Sequence, residues 1–304
     1  MRARHAPHLA IVLVLVLALV IAACGDDDGG AASETSSTIT EDTVEPTPGM
    51  LEVRRTGGID YTGTGSFRTL DVWAPSEAGE WPVVIVVPGV GQQSKASFTP
   101  LARAIAERGA VVFNLAVDDS VPFITAIEQT ACAVRYARAE AAGYGGDPES
   151  ITLVGNSMGA PVAAVVALAG DAFPGPCAAE GSSVATGFVG YEGAYDYVRE
   201  ADYLLVDHRY LEDEDPAMYA AIDPYTHFGE NPSLAIHLVH GVDDDSLWFD
   251  IPPGESVSFN DALVAAGHES QLTLVEGASS VDLMNPDTDA FAAVVEATVG
   301  VAGI

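Results

Sequence analysis

The sequence predicts an α/β protein whose mostly parallel β-sheet is covered by helices on both faces. Segments of strand character alternate with segments of helix length over most of the 304 residues, and this alternation is typical of parallel sheets. The run at 82–87 is an unbroken apolar and β-branched segment, which suits a strand buried on both faces. Because 48% of the residues are hydrophobic, the chain can bury a sizeable core.

The elements follow one another in a regular order from Met50. Two segments with polar alternation, at about 51–56 and 66–73, predict an antiparallel pair at a sheet edge. Further strands are predicted at about 82–87, 110–115, 151–154, 184–190, 234–239 and 271–276. Helices are predicted at about 97–108, 122–142, 160–169, 257–266 and 287–299, the second of them with an apolar stripe at helical spacing. A polar, aromatic stretch at about 195–231 interrupts this rhythm and indicates a small insertion.

Acidic residues dominate the charge of the chain. It has 12 Lys and Arg against 44 Asp and Glu, which gives a formal net charge of −32. This balance excludes a nucleic-acid binder, since phosphate contacts need basic side chains, and it opposes docking of the protein surface on anionic lipid. The acidity is interpreted as solubility or salt adaptation. The acidic runs at 213–215 and 243–245 lack the glycine-spaced pattern of a calcium loop, so neither a metal nor a cofactor is expected.

The N-terminus has the features of a targeting segment. Arg2 and Arg4 precede an apolar run from Leu9 to Ala23, which is short for a membrane span and suits the core of a signal peptide. The run ends in Val-Ile-Ala-Ala followed by Cys24, which resembles the bacterial lipobox, where the cysteine is acylated and becomes the new N-terminus. The resemblance implies a signal peptide over 1–23 and an extracytoplasmic protein held at the cell membrane through a lipid anchor only. A signal peptide with a chance cysteine and an uncleaved anchor are the alternatives.

Residues 24–49 are predicted to form a flexible acidic tether. This segment is rich in Asp, Gly, Ser, Thr, Glu and Pro, with few large apolar side chains, so it cannot bury a core. About 25 residues of this kind reach roughly 25–30 Å on average. The folded domain is therefore expected to cover residues 50–304.

A strand–turn–helix with a central serine carries the predicted chemistry. The strand at 151–154 runs into Gly155-Asn-Ser157-Met-Gly159, and an Ala-rich helix follows directly. Glycines on both sides of Ser157 allow a tight turn that presents the hydroxyl at the carboxyl edge of the sheet. The helix dipole and the backbone N–H of Met158 would then stabilise an oxyanion. The pattern predicts Ser157 as a nucleophile.

With this turn, the chain resembles the carboxylesterase-like members of the α/β-hydrolase superfamily over about residues 50–300. The run Ala-Gly-Tyr-Gly-Gly-Asp-Pro at 142–148, before the serine turn, also resembles them. Pro88-Gly89-Val90-Gly91 resembles the oxyanion-hole loop, with Pro88 where the family usually has His. The resemblance implies a second oxyanion donor at the backbone N–H of Val90, with Gly91 as an alternative. In this fold the 195–231 insertion would cap the site.

The same resemblance assigns an acid and exposes the lack of a base. His240-Gly241-Val-Asp-Asp-Asp245 resembles the segment that carries the catalytic acid, which falls on Asp244, with its aspartate neighbours as alternatives. The segment that should carry the catalytic His has Ser280 at that position. His268 is expected at the opposite edge of the sheet. His208 or His227, in the cap, could supply a base instead.

Two functions remain open from the sequence. The first is an extracytoplasmic serine hydrolase that acts on a small-molecule carboxylic ester, impaired because Ser280 replaces the expected His or rescued by another base. The second is a catalytically inactive protein that binds an ester or acyl ligand. A purely structural lipoprotein would not need the serine turn. Cys132 and Cys177 are expected to form a disulfide outside the cytoplasm, with two free core thiols as the alternative.

Overall fold

The computed structural model describes residues 40–44, 49–65, 69–89, 94–117, 122–197, 216–243 and 251–304. They belong to a unit that runs from Ser37 to Ile304. Nine strands of this part of the chain form one sheet: β1 (Thr40–Val44), β2 (Val53–Ile59), β3 (Leu70–Pro75), β4 (Trp81–Val87), β5 (Val111–Leu115), β6 (Gly146–Asn156), β7 (Gly187–Tyr191), β8 (Ala235–Gly241) and β9 (Ser270–Val275).

The strand order is β1-β2-β3-β5-β4-β6-β7-β8-β9. The pairs β1–β2, β2–β3 and β3–β5 are antiparallel, and every pair from β5 to β9 is parallel. The predicted parallel sheet with an antiparallel pair near one edge is therefore confirmed. All carboxyl ends of β4 to β9 meet at one edge, which we call the carboxyl edge.

Helices cover both faces of the sheet. They are α1 (Thr99–Glu107), α2 (Phe123–Glu140), α3 (Gly159–Ala169), α4 (Pro216–Ile222), α5 (Pro253–Ala265) and α6 (Asp289–Ala302). Helices α2, α3 and α5 bury their apolar residues in one core, and α1 and α6 bury theirs in a second core on the other face. Helix α3 lies wholly in the interior, because each of its residues is apolar or small and all are buried.

Part of the predicted tether belongs to the sheet. Thr40–Val44 pairs with β2 in antiparallel register, Thr40 opposite Gly57 and Val44 opposite Val53. Composition alone suggested a segment without structure, but an edge strand offers unpaired backbone groups that a polar segment with β-branched residues can satisfy. The predicted boundary at residue 50 is therefore later than the first strand. Residues 1–39 lie outside the described part of the chain.

A disulfide joins Cys132 of α2 to Cys177, which follows α3, as predicted. The sulfur atoms are 2.08 Å apart and the two Cα atoms 5.3 Å apart. The bond closes a loop with a sequence separation of 45. Chain-entropy arguments give such a bond about 4 kcal/mol of stability relative to the reduced chain.

No helix in the described part of the chain is long and apolar enough to span a membrane.

Candidate active site

The predicted nucleophile turn is present between β6 and α3. Ser157 has a φ of +52°, a left-handed conformation that costs a non-glycine residue of order 1 kcal/mol or more. Its N–H donates to the carbonyl of Tyr191 on β7 (3.1 Å), and its carbonyl accepts from Ala160 N–H (3.1 Å). These bonds hold the strained residue at the carboxyl edge, where the half-buried side chain is presented above the start of α3.

The two glycines of the turn are required by close backbone contacts. A Cβ on Gly155 would lie 2.5 Å from the carbonyl oxygen of Gly159, and a Cβ on Gly159 would lie 2.3 Å from that of Pro88. The start of α3 is thus pressed against the end of β4. This contact places the start of α3 against Pro88, where the predicted oxyanion loop begins.

Met158, the predicted oxyanion donor, lies at the start of α3. It is the N-cap residue of α3, so its backbone lies at the positive end of the helix dipole. The other predicted donors, Val90 and Gly91, lie outside the described residues, and the second half of the oxyanion hole remains a prediction.

An ion-pair network around the buried Asp71 anchors the chain just after the predicted oxyanion loop. Lys95 Nζ lies 2.6 Å from Asp71 Oδ1, and Arg55 Nη2 lies 2.8 Å from Asp71 Oδ2. The carbonyl of Lys95 accepts from Asn114 Nδ2 (2.8 Å). Burial alone would raise the pKa of Asp71, but the hydrogen bonds from Lys95 and Arg55 outweigh it and lower that pKa. The exit of the loop is therefore fixed to β3 and β5.

Ser280, at the position of the missing base, lies beyond the carboxyl end of β9 and is half-buried. The preceding residue is fixed by Asp282, whose Oδ2 accepts from Ser279 N–H (2.9 Å) and Oγ (2.7 Å). These hydrogen bonds lower the pKa of Asp282. The loop is also tied to the end of β8, because Asp243 N–H donates to the carbonyl of Ala278 (3.0 Å). Position 280 therefore belongs to the carboxyl edge, as predicted.

His227 does not supply the base from the cap. Its ring nitrogens lie 3.2 Å from Glu230 Oε2 and 2.9 Å from the carbonyl oxygen of Ala221. Its ring also contacts Phe173, which follows the far end of α3, and the 11 residues of that helix span about 16 Å. His227 itself therefore lies toward the far end of α3 from Ser157, whereas the cap stays a prediction because residues 198–215 of the insertion lie outside the described chain. His208 lies outside the described residues.

The other described histidines are also engaged away from Ser157. His268 Nε2 lies 2.7 Å from the carbonyl oxygen of Phe228, before the start of β9 and thus at the opposite edge, as predicted. His237 Nε2 bonds Thr273 Oγ1 within the sheet (2.8 Å), and burial lowers its pKa. No imidazole of the described chain is hydrogen-bonded to the Ser157 hydroxyl.

Among the carboxylates near the ends of β7 and β8, the sequence analysis missed Glu192. Asp244 lies outside the described residues, and its neighbour Asp243 is exposed. Glu192, the residue after β7, is buried, and its Oε1 accepts from Gly241 N–H (2.8 Å) while its Oε2 lies 3.0 Å from His240 Nε2. The signal available in the sequence was a carboxylate directly after a buried strand, at the same edge as Ser157.

His240 is fully buried and saturated with partners. Nδ1 lies 2.8 Å from Ser256 Oγ on α5, and Nε2 lies 2.8 Å from the carbonyl oxygen of Ile251 as well as next to Glu192. His240 therefore holds the end of β8 against Ile251 and the start of α5. Among the described residues, no group of three or more His, Cys, Asp or Glu could hold a metal ion.

The sequence profile of the BD-FAE family matches residues 70–263, which include Ser157 and end before Ser280. The chain belongs to the BD-FAE family. Among curated proteins, this BD-FAE member is 28% identical over 247 residues to esterase LipQ of Mycobacterium tuberculosis, covering 73% of the chain and 56% of LipQ. It is also 28% identical over 251 residues to the probable isoprenylcysteine alpha-carbonyl methylesterase ICMEL1 of Oryza sativa subsp. japonica, covering 72% and 55%. The chain spans about half the length of these relatives.

Solved structures show the same fold. Butyrate-bound Est2, an esterase from Thermogutta terrifontis, superposes with a TM-score of 0.64 at 21% identity, over 79% of this chain and 90% of that one. A truncated carbohydrate esterase from gut microbiota gives a TM-score of 0.67 at 18% identity, over 82% and 96%. The BD-FAE member therefore has the α/β-hydrolase fold that its sequence predicts.

Proposed function

We propose that this BD-FAE member is a serine hydrolase that acts on carboxylic esters through Ser157. The observation that carries the proposal is the left-handed φ of Ser157, held at the sheet edge by the Tyr191 carbonyl above the helix N-terminus. Strain of this kind persists only where the surrounding structure enforces it, and it is typical of functional sites. The esterase names of the curated relatives support the same reaction class.

The reaction follows from the groups at the site. Ser157 Oγ attacks the ester carbonyl carbon, and the oxygen that becomes negative is stabilised by the N–H of Met158 and by the predicted N–H of Val90. Collapse expels the alcohol together with the proton that the Ser157 hydroxyl gave up, and leaves Ser157 acylated. Water then releases the acid and restores the hydroxyl.

The missing imidazole is what limits this reaction. In the predicted arrangement Asp244 would orient a base that takes the Ser157 proton, but Ser280 occupies that position and serine is far too weak a base near neutral pH. Loss of one triad member typically leaves about 10³–10⁴ of rate over water. The substitution is also the specific observation that favours the second candidate, an inactive protein that binds an ester or acyl ligand.

A fluorophosphonate probe tests the nucleophile directly. We expect the probe to label the wild-type protein covalently, slowly because no imidazole assists, and we expect Ser157→Ala to abolish the labelling. Mass spectrometry of the tryptic peptide that contains residue 157 measures the adduct. Ser182→Ala, a change in the loop before β7 and away from the turn, is the control and should label like wild type. Labelling that survives in Ser157→Ala would place the reactive nucleophile at another residue, and no labelling of wild type favours the binding protein.

The proposed cellular location is the outer side of the cytoplasmic membrane, with Cys24 acylated. The support is the sequence alone: the basic start, the apolar run and the small residues before Cys24. We expect Cys24→Ser to shift the protein from the membrane fraction to the medium or to an unprocessed precursor, because the acyl chains that hold it are lost. Fractionation and gel migration measure this. A mutant that behaves like wild type contradicts the lipoprotein proposal.

A further inference from the structure

Two non-glycine residues of the described chain have a left-handed φ, Ser157 at +52° and Glu192 at +50°. They follow the ends of adjacent parallel strands, whose last paired residues are Asn156 and Tyr191. Glutamate has no intrinsic preference for this conformation, and such strain marks sites where a side chain must be aimed. The strained backbone of Ser157 orients its hydroxyl toward the proposed reaction site. The strained backbone of Glu192 therefore suggests that the Glu192 side chain is also oriented for a purpose.

The Glu192 side chain is aimed across the end of β8. Its Oε1 accepts from Gly241 N–H at 2.8 Å, and its Oε2 lies 3.0 Å from His240 Nε2, with the side chain only 4% exposed. These donors suit a carboxylate, since a buried charge is tolerated when it is hydrogen-bonded. The carboxyl group is therefore held in place rather than solvated.

This position is next to the loop where the base should be. A Cβ on Gly241 would lie 3.2 Å from Glu192 Oε1 and 2.4 Å from the carbonyl oxygen of Ala278. Two Cα steps of about 3.8 Å carry the chain from Ala278 to Ser280. The carboxyl edge thus runs from Ser157 through Glu192 and Gly241 to the loop of Ser280.

We propose that Glu192 is the positioning carboxylate of the Ser157 site and that it orients a base placed at position 280. This proposal rests on the proposed ester hydrolysis and deepens it. Asp243, the described member of the aspartate run, is exposed, whereas Glu192 is buried and fixed beside the nucleophile strand. A base introduced at position 280 would depend on Glu192 to hold its ring and to stabilise its positive charge, more than on Asp244.

The test restores an imidazole and asks which carboxylate it needs. Ser280→His is combined separately with Glu192→Gln and with Asp244→Asn, and kcat/KM for p-nitrophenyl butyrate is measured from pH 5 to pH 9. We expect Glu192→Gln to lower kcat/KM of the Ser280→His protein at least about tenfold, as loss of the orienting acid does in triads. Asp244→Asn should change kcat/KM of the Ser280→His protein less than about threefold, which is small beside the loss expected for an orienting acid. Glu192→Asp should recover part of the loss, which a merely structural role for Glu192 does not predict.

A second readout does not depend on turnover. In histidine-labelled Ser280→His protein, NMR follows the titration of the introduced imidazole, and we expect Glu192→Gln to lower the pKa of that ring, because the neighbouring negative charge is gone. Among the described residues, the ionisable groups that interact with Glu192 are His240 on β8, Tyr191 at the end of β7 and Tyr195 beyond it, and Glu255 also acts on Tyr195. Burial raises the pKa of both tyrosines, with a further increase from Glu192, so neither titrates in this range. The signal that is absent from wild-type spectra identifies the introduced ring and distinguishes it from His240.

The outcomes separate this proposal from the proposed function. If Ser280→His is active and needs Asp244 but not Glu192, or if the introduced imidazole titrates identically with and without Glu192, the role of Glu192 is refuted while ester hydrolysis stands. If activity is unchanged by Ser157→Ala in every background, ester hydrolysis at Ser157 is refuted, and the titration of the introduced imidazole still decides whether Glu192 faces position 280.

Discussion

Replacing Ser280 by His should increase hydrolysis of p-nitrophenyl acetate or butyrate at least about tenfold, a transition-state gain of about 1.4 kcal/mol. Position 280 lies at the carboxyl edge, in a loop fixed to β8 through the Asp243 N–H and the Ala278 carbonyl. Ser157, the proposed nucleophile, already has a strained left-handed φ at the same edge. An imidazole at 280 would add the base that can take the Ser157 proton and return it to the leaving alcohol.

The gain must depend on the nucleophile. Adding Ser157→Ala to Ser280→His should remove it, since the imidazole then has no hydroxyl to activate. Ser279→His, one residue earlier in the same loop, is the matched control and should give no comparable increase. A wild type that is already fast and is unaffected by Ser280→His would contradict our interpretation of residue 280. In that case loss of activity in His208→Ala would locate the base in the insertion.

Gly159→Ala should destabilise the protein by at least about 2 kcal/mol, the range expected when an atom is forced into a filled space. The new Cβ would lie 2.3 Å from the Pro88 carbonyl oxygen and 2.6 Å from that of Val87. Both are backbone atoms of the sheet and cannot turn aside as a side chain can. We expect the melting temperature to fall by about 5 °C or more, together with reduced fluorophosphonate labelling, because α3 must move away from the oxyanion loop.

Gly300→Ala is the matched control for this prediction. Gly300 lies in α6 with nothing within 4 Å of an added Cβ, so the same substitution should raise stability by about 0.5–1 kcal/mol through helix propensity. Thermal unfolding of both variants measures the contrast. Equal effects of the two substitutions would show that the contact between α3 and the end of β4 is looser than the structure has it.

Local patterns determined the serine turn. Gly155, Ser157 and Gly159 lie within five residues between a buried strand and an Ala-rich helix, so the geometry follows from neighbours in sequence. The disulfide was predictable from the cysteine count, since Cys132 and Cys177 are the two cysteines that remain once Cys24 is assigned to lipidation. The alternation of strands and helices likewise fixed the parallel sheet, because right-handed crossovers leave few other arrangements.

The wrong expectations came from segments whose partners are remote. Thr40–Val44 has the composition of a tether, and only the open edge of β2 makes it a strand. His227 falls in the insertion that the fold was expected to place over the site, yet its ring contacts Phe173, which follows the far end of α3. The amino-acid composition of a segment does not show which edge of the sheet is open or where an irregular segment packs.

The sequence by itself determined that this chain carries a nucleophile turn on a parallel sheet and lacks a histidine at position 280. The tertiary structure alone revealed the buried carboxylate beside that turn. Glu192 meets Gly241 across 49 residues of chain, and its φ, its burial and its pairing with His240 arise only when β7 and β8 lie side by side. Contacts between residues so far apart in sequence depend on the order of the strands in the sheet, and the alternation of apolar and polar residues within a strand does not predict them.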